Sequence, residues 1–192
     1  MTRRVVYSMM VSLDGFVEDA DGGIGWSEPD EELHRYFNDQ EAHIDAHLYG
    51  RRLYRLMADH WPTADEDPSA ADYEIAYART WKSVPKIVFS RTLESVDWNS
   101  RLVREELAEE VARLKSLPGK DMDLGGPGLA ASFMRLGLID EYQLFVHPVV
   151  LGSGKPYFPP GGDRQELRLL GTRTFGSGVV LLRYRPELSA AA

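Results

Sequence analysis

A glycine-rich turn stands where a binding site for phosphate is easily built. Gly125, Gly126 and Gly128 follow the strand-like segment 121–124 and precede the helix-like segment 129–136. Such a turn lets a pyrophosphate approach the backbone and the N–H groups at the start of a helix. The same turn also serves geometry alone, because glycine adopts tight conformations without steric cost. Its spacing is not G-x-G-x-x-G, and no acid stands where a Rossmann fold would bind a ribose.

Arginine and serine side chains follow two other predicted strands. Gly50, Arg51 and Arg52 begin a predicted helix, and Ser90 and Arg91 end the next strand. Guanidinium groups bind phosphate in a bidentate manner, although arginines on a surface helix often only face solvent. Ligands of open α/β sheets bind at the carboxyl ends of the strands. Three anion-binding features at three such ends therefore indicate one phosphate-containing ligand.

The composition narrows the classes of partner. The formal net charge of −8 disfavours non-specific binding of nucleic acid, because like charges repel. The chain has no cysteine, which excludes disulfides, thiolate zinc sites and cysteine nucleophiles. No apolar run is long enough to span a bilayer, and the amino terminus lacks a signal-peptide core, so we expect a cytoplasmic protein without a membrane partner.

The histidines show no pattern that predicts a metal site. His43 and His47 stand four residues apart, but they fall where a predicted helix passes into a strand. We therefore assign no metal. His147 precedes Pro148 in a predicted strand, and we interpret it as structural.

The chain of 192 residues fits one domain, residues 1–192. Hydrophobic periodicity and turn residues predict helices at 30–41, 51–60, 70–82, 104–117 and 129–136, with Ser27 as a helix N-cap and Pro62 as a helix stop. They predict strands at 4–13, 44–49, 86–90, 121–124, 141–151, 167–175 and 179–184, with 92–101 irregular or a short strand. Alternating strands and helices followed by a run of strands favour a mainly parallel sheet with antiparallel carboxyl-terminal strands.

These segments together resemble the dihydrofolate reductase-like superfamily, in the branch of the reductase domain of the riboflavin-biosynthesis deaminase-reductase. The resemblance rests on SLDG (12–15), GIG (23–25), LYGRR (48–52), VFSR (88–91), LGGPG (124–128), GLIDEY (137–142) and HPVVLGSGKPYF (147–158). They occur in the expected order over nearly the whole chain. The resemblance implies a three-layer dihydrofolate reductase-like α/β fold and a stand-alone reductase, since the zinc deaminase half is missing.

The resemblance also implies NADPH as the cofactor. It places Arg51, Arg52, Ser90 and Arg91 near the 2′-phosphate of the adenosine. The resemblance also assigns cofactor contacts to the turns at two helix starts. Gly50 belongs to the first turn, and the second turn, with Gly125, Gly126 and Gly128, would lie against the pyrophosphate. Ile24 and Gly25 would lie beside the nicotinamide and shield hydride transfer from water.

Two acids match substrate-binding acids of the superfamily. Asp14 corresponds to the substrate-side aspartate of the riboflavin branch, although an aspartate before glycine is equally typical of a turn. Glu32 resembles the pterin-binding acid of true dihydrofolate reductases, with Asp30 and Glu31 as neighbours in register. A solvated helix face explains Glu32 as well.

Two departures from the family pattern bear on the ligands. Leu53 stands where many relatives carry threonine, and Phe16 stands where the riboflavin enzyme carries lysine. The second difference weakens the case for a ribose-phosphate substrate.

We therefore expect an NADPH-dependent reductase of a small heterocyclic substrate, similar to 5-amino-6-(5-phosphoribosylamino)uracil reductase or to dihydrofolate reductase. The alternative is an NADP(H)-binding module without turnover. Members of the branch pair through their carboxyl-terminal strands, which implies a homodimer. An apolar edge strand over 142–150 would in any case need covering.

Overall fold

The computed structural model describes residues 3–104 and 106–187. The strands are β1 (Val5–Ser12), β2 (Phe16–Glu18), β3 (Ile44–Gly50), β4 (Lys86–Phe89), β5 (Ser100–Val103), β6 (Asp121–Gly125), β7 (Glu141–His147), β8 (Lys155–Pro156), β9 (Leu167–Thr174) and β10 (Val180–Pro186). The helices are α1 (Glu31–Glu41), α2 (Arg51–Ala64), α3 (Asp72–Ser83), α4 (Leu107–Ser116) and α5 (Pro127–Arg135), and a 3₁₀ turn spans Gly25–Ser27.

Eight of the strands form one sheet in the order β5-β4-β3-β6-β1-β7-β10-β9. Every neighbouring pair from β5 to β7 is parallel, and β10 runs antiparallel to both β7 and β9. The predicted parallel sheet with antiparallel carboxyl-terminal strands is therefore confirmed. In this arrangement β1 is central, and the carboxyl ends of β1, β3, β4, β5, β6 and β7 lie along one edge.

Side chains along β1 alternate between the two faces of the sheet, and helices cover both faces, so the molecule has three layers. Tyr7 and Val11 share a core with Val111 of α4 and Phe133 of α5 on one face of the sheet. On the opposite face, Met10 packs against the cluster around Leu33 of α1. Helices α2 and α3 cover the same side farther along, around the fully buried Trp81.

Helix α1 begins later than the sequence indicates. The predicted N-cap, Ser27, instead closes the 3₁₀ turn, where its hydroxyl donates to the carbonyl of Ile24 at 2.8 Å. Asp30 is the actual N-cap, because its carboxylate accepts a hydrogen bond from the backbone N–H of Leu33 at 2.9 Å. Both residues are good caps, and the intervening turn decides between them.

The prediction that Pro62 stops a helix is wrong. Helix α2 continues through Pro62 to Ala64. A proline inside a helix loses one hydrogen bond. Contacts with α3 stabilise the end of the helix instead. Lys82 Nζ donates to the carbonyl of Pro62 at 3.3 Å and to Asp65 Oδ1 at 2.7 Å.

The predicted edge strand over 142–150 is also wrong. β7 ends at His147, before Pro148, and lies inside the sheet between β1 and β10. The strand at that end of the sheet is β9, where Leu169 and Leu170 are exposed. β10 pairs antiparallel with β7 and covers the edge of β7 that faces away from β1. Sequence periodicity does not show this pairing.

Strands β2 and β8 form a small antiparallel ribbon that the sequence analysis missed. At Gly154, beside the ribbon, φ is +150°, and an added Cβ would lie 1.9 Å from the backbone oxygen of Glu18. The backbones therefore approach too closely for any side chain at this position. The ribbon holds the chain after β1 against the segment that follows β7.

We expect Gly154→Ala to lower the free energy of unfolding by about 2 kcal/mol or more, because the new methyl group overlaps with backbone. Urea unfolding measures the change. Gly171→Ala is the matched control, since no atom lies within 4 Å of a Cβ at that position of β9. An equal effect of the two substitutions would contradict the close approach at Gly154.

Candidate active site

A cavity of about 1410 Å³ lies between the sheet and the helices α1 and α2. Met9, Ile24 and Gly125 line it at the carboxyl ends of the strands. Ser8 and Asp123 line its floor, on the face of the sheet that alternates away from the α4–α5 core. The cavity is large enough for a ring system beside a second ring.

The glycine turn lies at the rim of this cavity. Gly126 has φ of +92°, and α5 begins directly after it with Pro127. A Cβ on Gly125 would lie 2.4 Å from Leu53 Cδ2, so packing alone already requires glycine at this position. The first turn of α5 has no side-chain cap and no acidic residue. Its backbone N–H groups are therefore placed to receive an anion.

A second cavity, of about 400 Å³, lies on the other side of α5. Ser90 and Arg91, which the sequence analysis predicts to bind the cofactor, line it at the end of β4. Arg104, Arg135 and Ser132 line it too, and sequence analysis missed all three. A signal for Arg104 was present, because it follows β5 as Arg91 follows β4.

Local contacts partly order this second cavity. The Ser90 hydroxyl accepts hydrogen bonds from the backbone N–H groups of Thr92 at 3.2 Å and Leu93 at 3.1 Å. Arg135 Nη2 donates to Ser132 Oγ at 2.9 Å. Glu106 also lines the cavity, so three guanidinium groups face one described carboxylate there. The balance of charge favours an anion.

The two arginines at the start of α2 point to different partners. Arg51 Nη1 donates to Thr92 Oγ1 at 2.8 Å, which brings its guanidinium group toward the second cavity. Arg52 forms an ion pair with Glu18 at 3.0 Å and donates to the carbonyl of Gly22 at 3.4 Å. Arg52 thus contacts the loop that carries the predicted nicotinamide residues.

Three further predicted residues lie between these features. Gly50 is the N-cap of α2, and an added Cβ there would lie 3.3 Å from Leu129 Cβ of α5. Gly25 begins the 3₁₀ turn after Ile24, and neither Gly25 nor Gly128 has a protein atom within 4 Å of an added Cβ. Space for a ligand therefore remains beside both.

The carboxylate of Asp14 is engaged by the protein itself. It accepts hydrogen bonds from the Ser12 hydroxyl at 2.7 Å and from the N–H groups of Leu151 at 3.1 Å and Gly152 at 2.7 Å. The Ser12 hydroxyl and these two N–H groups hold the pKa of Asp14 below its usual range. Asp14 is not among the lining residues of either cavity.

Glu32 contacts the turn before β10, which lies at the same edge of the sheet as the carboxyl end of β7. One oxygen accepts a hydrogen bond from the backbone N–H of Gly176 at 2.8 Å, and the other pairs with Arg173 at 3.3 Å. These contacts tie α1 to the turn between β9 and β10. The two residues before Glu32 have other contacts. Asp30 caps the helix, and Glu31 pairs with Arg35.

A buried imidazole stands beneath the floor of the large cavity. His47 Nδ1 lies 3.4 Å from Asp123 Oδ2, and His47 Nε2 lies 3.2 Å from Glu41 Oε2. Burial alone would lower the pKa of His47, but Asp123 and Glu41 outweigh it and raise the pKa to about 9. Burial raises the pKa of Asp123, against the effect of its hydrogen bond to His47.

The other histidine near the strand ends, His147, is buried at the end of β7. The edge of its ring contacts Trp26, with centroids 5.6 Å apart. Burial lowers its pKa. Within 3–104 and 106–187, no group of three or more histidine, aspartate or glutamate side chains is arranged to hold a metal ion. In the same ranges no helix has the length and apolar composition needed to cross a membrane.

The sequence matches that of known proteins over almost its full length. The profile of the RibD C-terminal domain family matches residues 3–181. The Bacillus subtilis protein YyaP is 41% identical over 183 residues, which cover 95% of this chain and 94% of that protein. A second protein of that organism, YwjB, is 32% identical over 187 residues, covering 94% of this chain and 97% of that protein.

Solved structures share the fold. A candidate riboflavin biosynthesis protein from Shewanella sp. PV-4 is 21% identical with a TM-score of 0.76, over 98% of this chain and 100% of that one. A diaminohydroxyphosphoribosylaminopyrimidine deaminase/5-amino-6-(5-phosphoribosylamino)uracil reductase from Thermotoga maritima is 15% identical with a TM-score of 0.65, over 97% of this chain and 57% of that one. The chain therefore belongs to the RibD C-terminal domain family.

Proposed function

We propose that the protein is an NADPH-dependent reductase of a small heterocyclic substrate. One observation carries the proposal: the uncapped start of α5 lies between two cavities of matching chemistry. Gly125, at the end of β6 just before α5, lines the large, mostly apolar cavity, and Leu129 and Ser132 of α5 line the arginine-rich one. A dinucleotide has this same order of parts, with a ring at one end, a pyrophosphate in the middle and a phosphorylated ribose at the other.

The residues fit the cofactor part by part. The N–H groups that follow Gly126 would hold the pyrophosphate at the start of α5. Arg91, Arg104 and Arg135 would bind the 2′-phosphate, with Arg51 and Ser90 beside them. Ile24 and Gly25 would cover the nicotinamide. The N-terminal glycines of both helices, Gly50 and Gly126, allow close packing against Leu129 and Leu53, respectively.

Bound NADPH supplies a hydride, and the chain supplies position and exclusion of water. The large cavity holds the acceptor ring beside the nicotinamide site, on a floor that includes Ser8 and Gln143. We assign Asp14 and Glu32 supporting roles. Asp14 shapes the loop at Leu151 and Gly152, and Glu32 anchors α1, which forms one wall of the cavity.

Gly128→Asp tests the pyrophosphate site. An acid in the first turn stabilises a helix through its dipole, by about 0.3–1 kcal/mol, and no protein atom obstructs a Cβ at this position. The variant should therefore unfold at the same or a higher temperature. It should nevertheless lose at least about tenfold in NADPH affinity, because the new charge repels the pyrophosphate. Tryptophan fluorescence measures the binding. Gly128→Ala is the control for size, and equal NADPH affinity of the two variants would contradict the site.

The arginine-rich cavity predicts a preference for NADPH over NADH. We expect the triple substitution of Arg91, Arg104 and Arg135 by alanine to weaken NADPH binding by about 100-fold, the loss of charge-assisted bonds to one phosphate group. NADH affinity should change little, since NADH lacks that phosphate. Arg113→Ala removes a surface arginine of α4 that pairs with Glu110, and it serves as the control. A parallel loss of affinity for both cofactors would place the phosphate elsewhere.

Turnover is tested by NADPH oxidation at 340 nm, the wavelength at which reduced nicotinamide absorbs. We expect oxidation with at least one member of a panel of pterins, pyrimidine riboside analogues and simple carbonyl compounds. The acceptor should be a ring compound, because the large cavity is lined mainly by aromatic and aliphatic side chains. Tight NADPH binding without oxidation of any panel member would instead identify a binding module. Absence of NADPH binding would refute both functions.

A further inference from the structure

The carboxylates that line the large cavity are Glu41, Asp121 and Asp123, and Glu141 is buried in the sheet beside it. They differ in their partners. Arg4 binds Asp121 through its side chain and its backbone N–H. Glu141 is fully buried and accepts from Arg4 at 2.9 Å, Arg183 at 2.8 Å and Gln143 at 2.8 Å. These two acids are neutralised by arginine and already hold hydrogen bonds.

Asp123 is different. Among the described residues its hydrogen-bonding partner is His47, and its side chain remains 27% exposed toward the cavity that it lines. It lies on the same face of β6 as Gly125, two residues earlier. Two residues of a strand span about 7 Å, so Asp123 lies roughly one ring farther in than the glycine turn. An acceptor ring beside the nicotinamide site would therefore meet this carboxylate.

Next to Asp123 lie His47 and Glu41, the second of which also lines the cavity with 10% of its side chain exposed. His47 is 1% exposed and stacks on Tyr49, with ring centroids 5.2 Å apart. Its Nε2 and the Oε2 of Glu41 lie 3.2 Å apart, but they are not aligned as a hydrogen bond, and both atoms are buried without another partner. Buried polar atoms without a hydrogen bond cost stability, and a functional role is one reason for a protein to retain them.

We propose that Asp123 is a catalytic residue that touches the substrate and gives it a proton, and that His47 and Glu41 are positioning residues behind it. The inference rests on the proposed reductase function. Hydride addition to the carbon of a C=N bond moves the π pair to nitrogen. The Asp123 carboxylate takes a proton from His47 Nδ1 and delivers it to that nitrogen, and His47 is then reprotonated from solvent on the Glu41 side. Each turnover consumes one hydride and one proton.

The surroundings of His47 keep it charged. Glu41 of α1 and Asp123 of β6 face it directly, Tyr49 and Tyr77 lie near, and Lys86 is its neighbour in register on β4. The ammonium of Lys86 is turned away, since it donates to the carbonyls of Trp81 and of Val84, the latter at 2.8 Å. The two carboxylates therefore dominate the field at the imidazole.

A titration of the His47 ring by NMR tests the pair without ligand or turnover. In the wild type His47 should remain protonated to about pH 9, since its pKa is raised to about 9. Asp123→Asn removes one anion, so the pKa should move by at least one unit toward the ordinary value of about 6.5. Asp39→Asn, an exposed acid on α1, is the matched control and should leave the titration unchanged. An unshifted pKa in Asp123→Asn would overturn the arrangement.

Contact with the substrate is tested with 2,4-diaminopteridine as the probe, in the absence of NADPH. Asp123→Asn should bind it at least tenfold more weakly than the wild type and Asp39→Asn. With the best acceptor of the oxidation panel, Asp123→Asn should lose at least 100-fold in kcat, and Asp123→Glu should recover part of it. His47→Gln should lower kcat and shift its pH profile with little change in KM.

The outcomes separate this inference from the proposed function. If Asp123→Asn binds the probe and turns over as the wild type does, the inference is overturned while the reductase function stands. If the wild type does not bind NADPH, the reductase function fails. The probe then still decides whether Asp123 contacts a heterocycle, and unchanged probe binding in Asp123→Asn again overturns the inference.

Discussion

The parallel hydrogen-bond ladders of β1 with β6 and β7 position the side chains on the floor of the large cavity. In register, Val6 lies opposite Asp123 on one side and Glu141 on the other, and Tyr7 lies opposite Leu124 and Tyr142. Side chains alternate along a strand, so a slip of one residue would turn Asp123 into the α4–α5 core. The fully buried Tyr7 and Leu124 oppose that slip, because each side chain of this kind contributes roughly 1.5–3 kcal/mol through burial.

The same alternation creates an electrostatic cost on the cavity side. A charged side chain on the face of a sheet loses much of its hydration and needs a partner close by. Arginines meet this need for Glu141, since Arg4, just before β1, and Arg183 of β10 both bind it. Among the described residues, the partner of Asp123 is instead a histidine of the next strand, His47. The imidazole differs from a guanidinium group, which stays protonated in proteins, because His47 has a pKa of about 9 and can release its proton.

Sequence patterns predict the parts of the site that are local. The glycine turn, the arginines after β3 and β4, and the order of strands all follow from short segments and from the tendency of parallel strands to end at one edge. The bonds of Asp14 to Leu151 and Gly152, and of Glu32 to Gly176, span 137 residues or more. No local pattern distinguishes such an anchored carboxylate from one that faces a ligand. The alternation of Asp121, Met122, Asp123 and Leu124 was a signal for Asp123, but its partner His47 lies 76 residues away.

The two sides of the cavity mouth differ in how firmly they are held. On one side, the close approach of Gly154 to Glu18 and the bonds of Asp14 join the segments after β1 and β7. On the other, the loop before the 3₁₀ turn is ordered within itself, because Asp19 accepts from Gly23, while its bond to α2 is the 3.4 Å contact between Gly22 and Arg52. An exposed contact of this kind is worth at most about 1 kcal/mol. The loop that carries Ile24 is therefore held to α2 more weakly than the opposite wall is held to the ribbon. In the proposed reductase, ligands would enter past this loop while Asp123 and the glycine turn keep their positions on the sheet.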